Sequence, residues 1–303
     1  MADACHYVTK MSPNVSVSKI TKKEILELLK NTGYLMEQEV SYEIDSFGYV
    51  TDTNYHYKDP DDGTSREMDV RGYTMKKISH SWHSYNFHYL DITLIIGCKN
   101  NKLPLIFFSK KSIVPSEYSS GDFFVLSNPN KVPGKEGVPI DILDFINLRK
   151  FHHYYKASAI STQFCETYLK NDKSIDVIHE AYKSEILPVI KAMDYEMKIV
   201  RKQLSKDSIN MHTFYPIIVL SGEMYTCDTG LDKKPKLKKT QHVSYLQTYD
   251  SKTLKGEFRI DIITQNYLNK FLSQLDNETN KIVKRLKDKR ETLLKTIKAV
   301  NKK

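Results

Sequence analysis

The run Asp91-Ile92-Thr93-Leu94-Ile95-Ile96-Gly97-Cys98-Lys99 sets the frame for the rest of the chain. It is apolar at consecutive rather than alternate positions, which suits a strand buried on both faces of a sheet. Leu103 to Ser109 repeats the pattern a few residues on, and both runs read as central strands. Upstream, Tyr49 to Lys58 reads as a strand, Asp59-Pro60-Asp61-Asp62-Gly63 as a turn and Arg66 to Arg71 as the returning arm of a hairpin. Two helices precede the hairpin. The first opens on the capping box Thr21-Lys22-Lys23-Glu24 and stops at Gly33; the second carries Met36, Val40, Ile44 and Phe47 at helical spacing and stops at Gly48.

Downstream, Pro, Gly and Ser residues from Pro115 to Pro139 mark an irregular crossover. Residues 141–205 are mostly helical in pattern, interrupted at Lys170-Asn171-Asp172, with a kink expected at Pro188. Strands resume at Phe214 to Leu220, Glu223 to Cys227, His242 to Thr248 and Glu257 to Ile263, and a long basic helix closes the chain. Apolar strands occur in both halves without a linker between them. The expectation is one α/β unit over 18–275, with a helical insertion at about 140–205, a frayed start over 1–17 and a basic C-terminal helix over 276–303.

The 303 residues are 40% apolar and 27% charged, ordinary proportions for a globular protein. The longest apolar runs, Leu103 to Phe108 and Tyr215 to Leu220, are too short to span a bilayer, and Met1-Ala2-Asp3-Ala4-Cys5-His6 has neither the basic nor the apolar region of a secretory leader. The four cysteines form neither a CxxC pair nor zinc-ligand spacing, so free thiols and a cytoplasmic location are expected. A net charge of +9 favours partners rich in phosphate. The excess is uneven. From Gln265 onward there are eleven Lys and Arg against four Asp and Glu, and Lys233-Lys234-Pro235-Lys236-Leu237-Lys238-Lys239 forms a second basic stretch. Either is solvated surface or a backbone-tracking contact.

Two segments carry chemistry. Ser65-Arg66-Glu67-Met68-Asp69-Val70 supplies an acid on one strand, and Ile95-Ile96-Gly97-Cys98-Lys99 supplies a lysine at the end of another. Hydrolysis of a phosphodiester needs charge neutralisation and an activated water, which carboxylate-held Mg²⁺ and a nearby lysine can provide. A second carboxylate two residues before the lysine would share its face; that position is Gly97.

These segments, in this order, resemble the PD-(D/E)xK or restriction-endonuclease-like superfamily, in particular prokaryotic nuclease-like proteins whose core reads GY..E.EV, a hairpin, SREID, then ECK and an aromatic strand. Here the matching residues are Gly33-Tyr34-Leu35-Met36-Glu37-Gln38-Glu39-Val40, Ser65-Arg66-Glu67-Met68-Asp69, Gly97-Cys98-Lys99 and Leu103-Pro104-Leu105-Ile106-Phe107-Phe108. The resemblance covers residues 25–109, is weaker over 212–275 and is absent between. It implies a central mixed sheet flanked by helices, with Asp69 and Glu37 as ligands of Mg²⁺ or Mn²⁺ and Lys99 orienting the attacking water. Gly97 is the degenerate acidic position; Glu39 is an alternative relocated acid, and Glu67 is the less favoured one.

The expected function is metal-dependent hydrolysis of DNA phosphodiesters, in a setting such as genome defence. Lys233, Lys234, Lys236, Lys238, Lys239, Lys284 and Arg285 would track the DNA backbone. The rival is the same fold with a dead site, kept to bind DNA or, through the C-terminal helix, a protein. His80, His83 and His88, with Trp82 and Tyr85, fit no zinc spacing and read as a packed aromatic loop, and His152-His153-Tyr154-Tyr155 reads as helix surface or core edge. Ser221-Gly222-Glu223 lacks the surroundings of a nucleophile elbow, and no phosphate-binding GxxxxGK[ST] loop occurs.

Overall fold

The hairpin turn forms as its residues demand. Asp59 N–H donates to Thr64 O and Gly63 N–H to Asp59 O, with Gly63 at φ +74°, a conformation that favours glycine. This is seen in a computed structural model, which describes residues 20–301 apart from 31, 80–86, 112–123, 135, 137, 158, 172, 179–181, 229 and 231–232. His80, Trp82, His83 and Tyr85 fall outside the described residues. His88 is buried, and its Nδ1 accepts from Ile209 N–H.

In chain order the helices are α1 (Lys22–Lys30), α2 (Tyr34–Asp45), α3 (Ile142–Phe145), α4 (His153–Lys156), α5 (Tyr182–Gln203), α6 (Leu268–Asp288) and α7 (Arg290–Val300). The strands are β1 (Val50–Lys58), β2 (Ser65–Ser79), β3 (His88–Lys99), β4 (Leu105–Lys111), β5 (Val125–Asn128), β6 (Lys131–Pro133), β7 (Pro139–Asp141), β8 (Ala159–Leu169), β9 (Ile175–Ile178), β10 (Asn210–Leu220), β11 (Met224–Asp228), β12 (Lys236–Thr240), β13 (His242–Asp250) and β14 (Lys255–Thr264). Thr21 and Glu24 cap α1 reciprocally, the Thr21 N–H donating to Glu24 Oε2 and the Glu24 N–H to Thr21 Oγ1.

Among the described residues one mixed twelve-stranded sheet runs β1-β2-β3-β10-β14-β13-β8-β4-β11-β12, with β5 beside β10 and β9 beside β8. β1, β2 and β3 form an antiparallel meander, and β10 returns parallel to β3 through α5. The strand interiors alternate cleanly. On β10, Tyr215, Ile217 and Val219 enter the core under α2, α6 and α7, whereas Phe214, Ile218 and Leu220 enter the core under α5. The sheet is therefore a layer between two sets of helices. It draws strands from both halves of the chain.

Three expectations are corrected. Residues 141–205 are not mostly helical: Ser161-Thr162-Gln163-Phe164-Cys165-Glu166-Thr167-Tyr168 lies within β8, where β-branched and aromatic side chains fit a pleated surface, and only α5 is a long helix. α5 carries Pro188 in its interior. β4 is interior to the sheet but buried on one face only, since Phe107 is fully buried and Phe108 is exposed. The closing basic segment is two helices rather than one. α6 begins at Leu268 and presents Phe271, Leu272, Leu275, Ile282, Val283 and Leu286 to the core, and a break at Lys289 separates it from α7.

Candidate functional site

The alternation of β2 slips at the residue the sequence singles out. Met68 packs in the α5-side core and Val70 in the α2-side core. The β1–β2 ladder passes from Thr53↔Val70 to Tyr55↔Met68, and Asn54, opposite Asp69, takes φ +57°. The β2–β3 ladder runs as far as Val70↔Ile96. Beyond it the Asp69 carboxylate takes over, its Oδ2 accepting the Cys98 N–H at 2.5 Å. Asp69 is thus fixed in the gap between two diverging strands by a charge-assisted hydrogen bond.

Glu37, on the first turn of α2, lies within electrostatic reach of Asp69. Burial first, then the carboxylates of Asp69 and Glu67, hold Glu37 above its ordinary pKa. Asp69 and Glu37 in turn, behind a larger burial effect, push the Cys98 thiol up. The structure therefore brings Glu37, Asp69 and Cys98 together. Two neighbouring carboxylates offer hard oxygen donors of the kind that hold Mg²⁺ or Mn²⁺. Glu39 is turned elsewhere, accepting from Gln265 Nε2 at 2.6 Å.

Lys99 and Gly97 take the opposite face. In the parallel β3–β10 register Gly97 pairs with Ile218 and Lys99 with Leu220, both in the α5-side core, while Cys98 pairs with Val219 on the α2 side. A Cβ at Gly97 would lie 3.2 Å from Val189 Cγ2 of α5. The degenerate position is thus where a helix seats.

That helix is clamped down. Lys191 Nζ lies 2.9 Å from both carboxylate oxygens of Asp59 and 2.7 Å from Asp61 Oδ2, and Glu196 receives Arg71 Nη2 at 3.1 Å together with the Tyr55 hydroxyl. Ile186, Val189, Ile190 and Met193 fill the interface. Each such side chain is worth about 2 kcal/mol on burial.

No family model, curated protein or solved structure matches the chain.

A second polar cluster lies on the α2-side face; His152 and His153, which the sequence presents as helix surface or core edge, belong to it together with His242, Asp261 and Glu278. Asp261 of β14 is fully buried; its Oδ2 receives His153 Nε2 at 3.1 Å and its Oδ1 receives His242 Nε2 at 2.8 Å. His153 Nδ1 lies 2.6 Å from Glu278 Oε2, and Gln274 Nε2 donates to Glu278 Oε1. Burial alone would depress His153, but the Asp261 and Glu278 carboxylates outweigh it and raise its pKa to about 9. Burial opposes ionisation of Asp261 as well, yet His153 and His242 hold its pKa far below the usual carboxylate range. The sequence signal was an acid between Ile260 and Ile262 in a strand-like segment.

His152, His153 and Glu278 each place a ligand atom within 4.8 Å of the others, a separation that can hold a metal ion. The tautomer of His152 argues against it. His152 Nδ1 accepts the Tyr154 N–H at 3.2 Å, so the ring hydrogen sits on Nε2, the atom that faces Tyr215 Oη and Glu278. Burial, reinforced by His153, keeps this ring neutral. The cluster is a chain of alternating acids and imidazoles.

The basic residues named from sequence are surface residues. β12 is an edge strand on which Lys236, Lys238 and Lys239 are exposed, as are Lys233 and Lys234 before it, and Lys284 and Arg285 lie on the solvent side of α6. Lys239 pairs with Glu223.

Proposed function

We propose that this chain is a nuclease-like protein whose hydrolytic constellation has been dismantled and which binds nucleic acid through its basic surface. The observation that carries the reading is the opposed placement of Glu37 and Lys99 across β3, with α5 seated on Gly97. A lysine that orients water must share a cavity with the metal-holding acids; here the lysine's face of β3 is the one on which α5 packs, with Val189 against Gly97. The order helix, antiparallel meander, helix and parallel strand supports a kinship with nuclease-like cores. The lysines of β12 and the Lys284–Arg285 pair of α6 supply the positive surface.

A second reading is favoured by one observation. Glu37 and Asp69 lie close enough to raise the pKa of Glu37, and two such acids retain affinity for a divalent cation. On that reading the chain cleaves DNA with Mg²⁺ or Mn²⁺ held by Glu37 and Asp69.

One experiment separates the two: incubation of the full chain with supercoiled plasmid and Mg²⁺ or Mn²⁺, beside Asp69→Asn and Glu37→Gln. The proposed function expects plasmid retardation without nicking. Metal-dependent nicking abolished by both substitutions would establish the second reading, and absence of both retardation and nicking would overturn the two together.

A further inference from the structure

The α2-side face carries a cleft of about 410 Å³ where α4 and α6 overhang β13, β8, β4, β11 and β12. Its lining is chemically one-sided. Lys156 projects from α4 and Lys238 from β12; His153 and His242 lie between them, and hydroxyls of Ser161, Ser244 and neighbouring Ser and Thr residues complete the wall. Among the described residues no carboxylate lines the cleft. Asp261 and Glu278 sit behind the two histidines, each bonded to imidazole nitrogen.

Ser244 supplies an independent observation. It is more than nine-tenths buried on β13, it lines the cleft, and its Oγ has no hydrogen-bond partner among the described residues. A buried hydroxyl without a partner costs stability, and such groups occur where a ligand completes them. The interior of a cleft bounded by two ammonium groups is a place where an anion of more than one charge meets several donors at once. The volume is in the range of sites for small organic ligands rather than single ions.

We infer that this cleft binds a phosphate monoester of about mononucleotide size, its phosphoryl oxygens received by Lys156, Lys238 and the hydroxyl of Ser244. The site is separate from Glu37 and Asp69 and shares Lys238 with the basic surface. Phosphate monoesters come from two sources, free metabolites and the 5′ ends of nucleic-acid strands; the cleft's volume, on the scale of one small organic ligand, assigns the former.

The test is isothermal titration of the full chain with AMP and with inorganic phosphate, beside a 5′-phosphorylated and a 5′-hydroxyl oligonucleotide of one sequence. AMP is expected to bind with Kd below about 1 mM and more tightly than inorganic phosphate, and the two oligonucleotides to bind alike. Lys156→Gln and Lys238→Gln should each weaken AMP about tenfold, the effect of removing one charge-assisted hydrogen bond. Ser244→Ala is the variant that separates ligand binding from folding: it should weaken AMP while leaving the thermal midpoint of the unliganded chain unchanged or higher. No binding of AMP at about tenfold the expected Kd, or unchanged AMP affinity in Ser244→Ala and both lysine variants, overturns the assignment. A 5′-phosphorylated oligonucleotide that outbinds both its 5′-hydroxyl counterpart and AMP overturns the choice of source.

Discussion

Lys191 on α5 places its ammonium 2.9 Å from both oxygens of Asp59 in the β1–β2 turn, tying a helix to a hairpin 132 residues away in sequence. Both side chains are nearly buried, and Asp61 and Arg66 complete the cluster. Leaving one member of a buried pair without its partner costs more than the intact pair contributes. Lys191→Met should therefore destabilise the fold by about 3 kcal/mol, read as a lowered urea midpoint. Adding Asp59→Asn to that variant should recover part of the loss, because the stranded charge is then removed.

The His153 network predicts an alkaline loss of stability. Its folded-state pKa, about 9, exceeds the ordinary histidine value of 6.5, so the folded chain holds a proton that the unfolded chain releases. The contribution is complete below pH 6.5, declines as pH rises and is gone above about 9; its full size is about 3 kcal/mol. Thermal unfolding followed from about pH 6 to about pH 10 should show this decline, and His153→Gln should flatten it. Asp261 works in the opposite direction: its contribution is present above the ordinary aspartate pKa and fades as acid is added.

Gly97→Glu repairs the motif on paper and should not repair the chemistry. The new Cβ would lie 3.2 Å from Val189 Cγ2, and the carboxylate would enter the apolar core beneath α5. The cost expected for an unpaired buried acid next to a displaced helix is about 3 kcal/mol. The variant should melt earlier and gain neither Mn²⁺ affinity nor cleavage. A rise in either would show that the α5 side can host the metal.

If the basic surface binds DNA, its affinity should fall steeply with salt. Replacing Lys233, Lys234 and Lys236 with Gln should reduce the log–log salt slope by about 0.9 for each phosphate no longer neutralised, across unrelated sequences. Fluorescence anisotropy between about 50 and 200 mM salt measures it. An unchanged slope would remove this stretch from the interface.

Asp69→Asn keeps an acceptor for the Cys98 N–H while deleting a charge beside Glu37. Glu37 should then titrate closer to its ordinary value, as seen by side-chain carboxyl NMR. No movement would separate the two acids.

Local rules carried much of the fold. The capping box, the Asp-Pro-Asp-Asp-Gly turn, the doubly buried β3 and the helical stripe of α2 each follow from a few adjacent residues, and each forms where the sequence places it. The middle of the chain resisted because β8 gains its pairing from strands distant in sequence, which no local periodicity announces. The site was legible in its acids but not in its lysine. Asp69 comes within electrostatic reach of Glu37 where the ladder slips at Asn54 and Asp69, whereas strict alternation keeps Lys99 with Leu220. The histidine network was hidden for a similar reason: His153, His242, Asp261 and Glu278 come from four elements whose adjacency is a property of the sheet order.

Among the described residues β13 joins β8 through one registered pair, Tyr245↔Ser161, although every other junction along the main path of the sheet has several. What looks like a single plate is thus two panels with a thin seam, and amide exchange should run faster along that seam than in the ladders either side. Ser161 and Ser244 flank it from opposite panels, so a molecule lodged over them would work as a rivet, slowing the opening of one panel against the other.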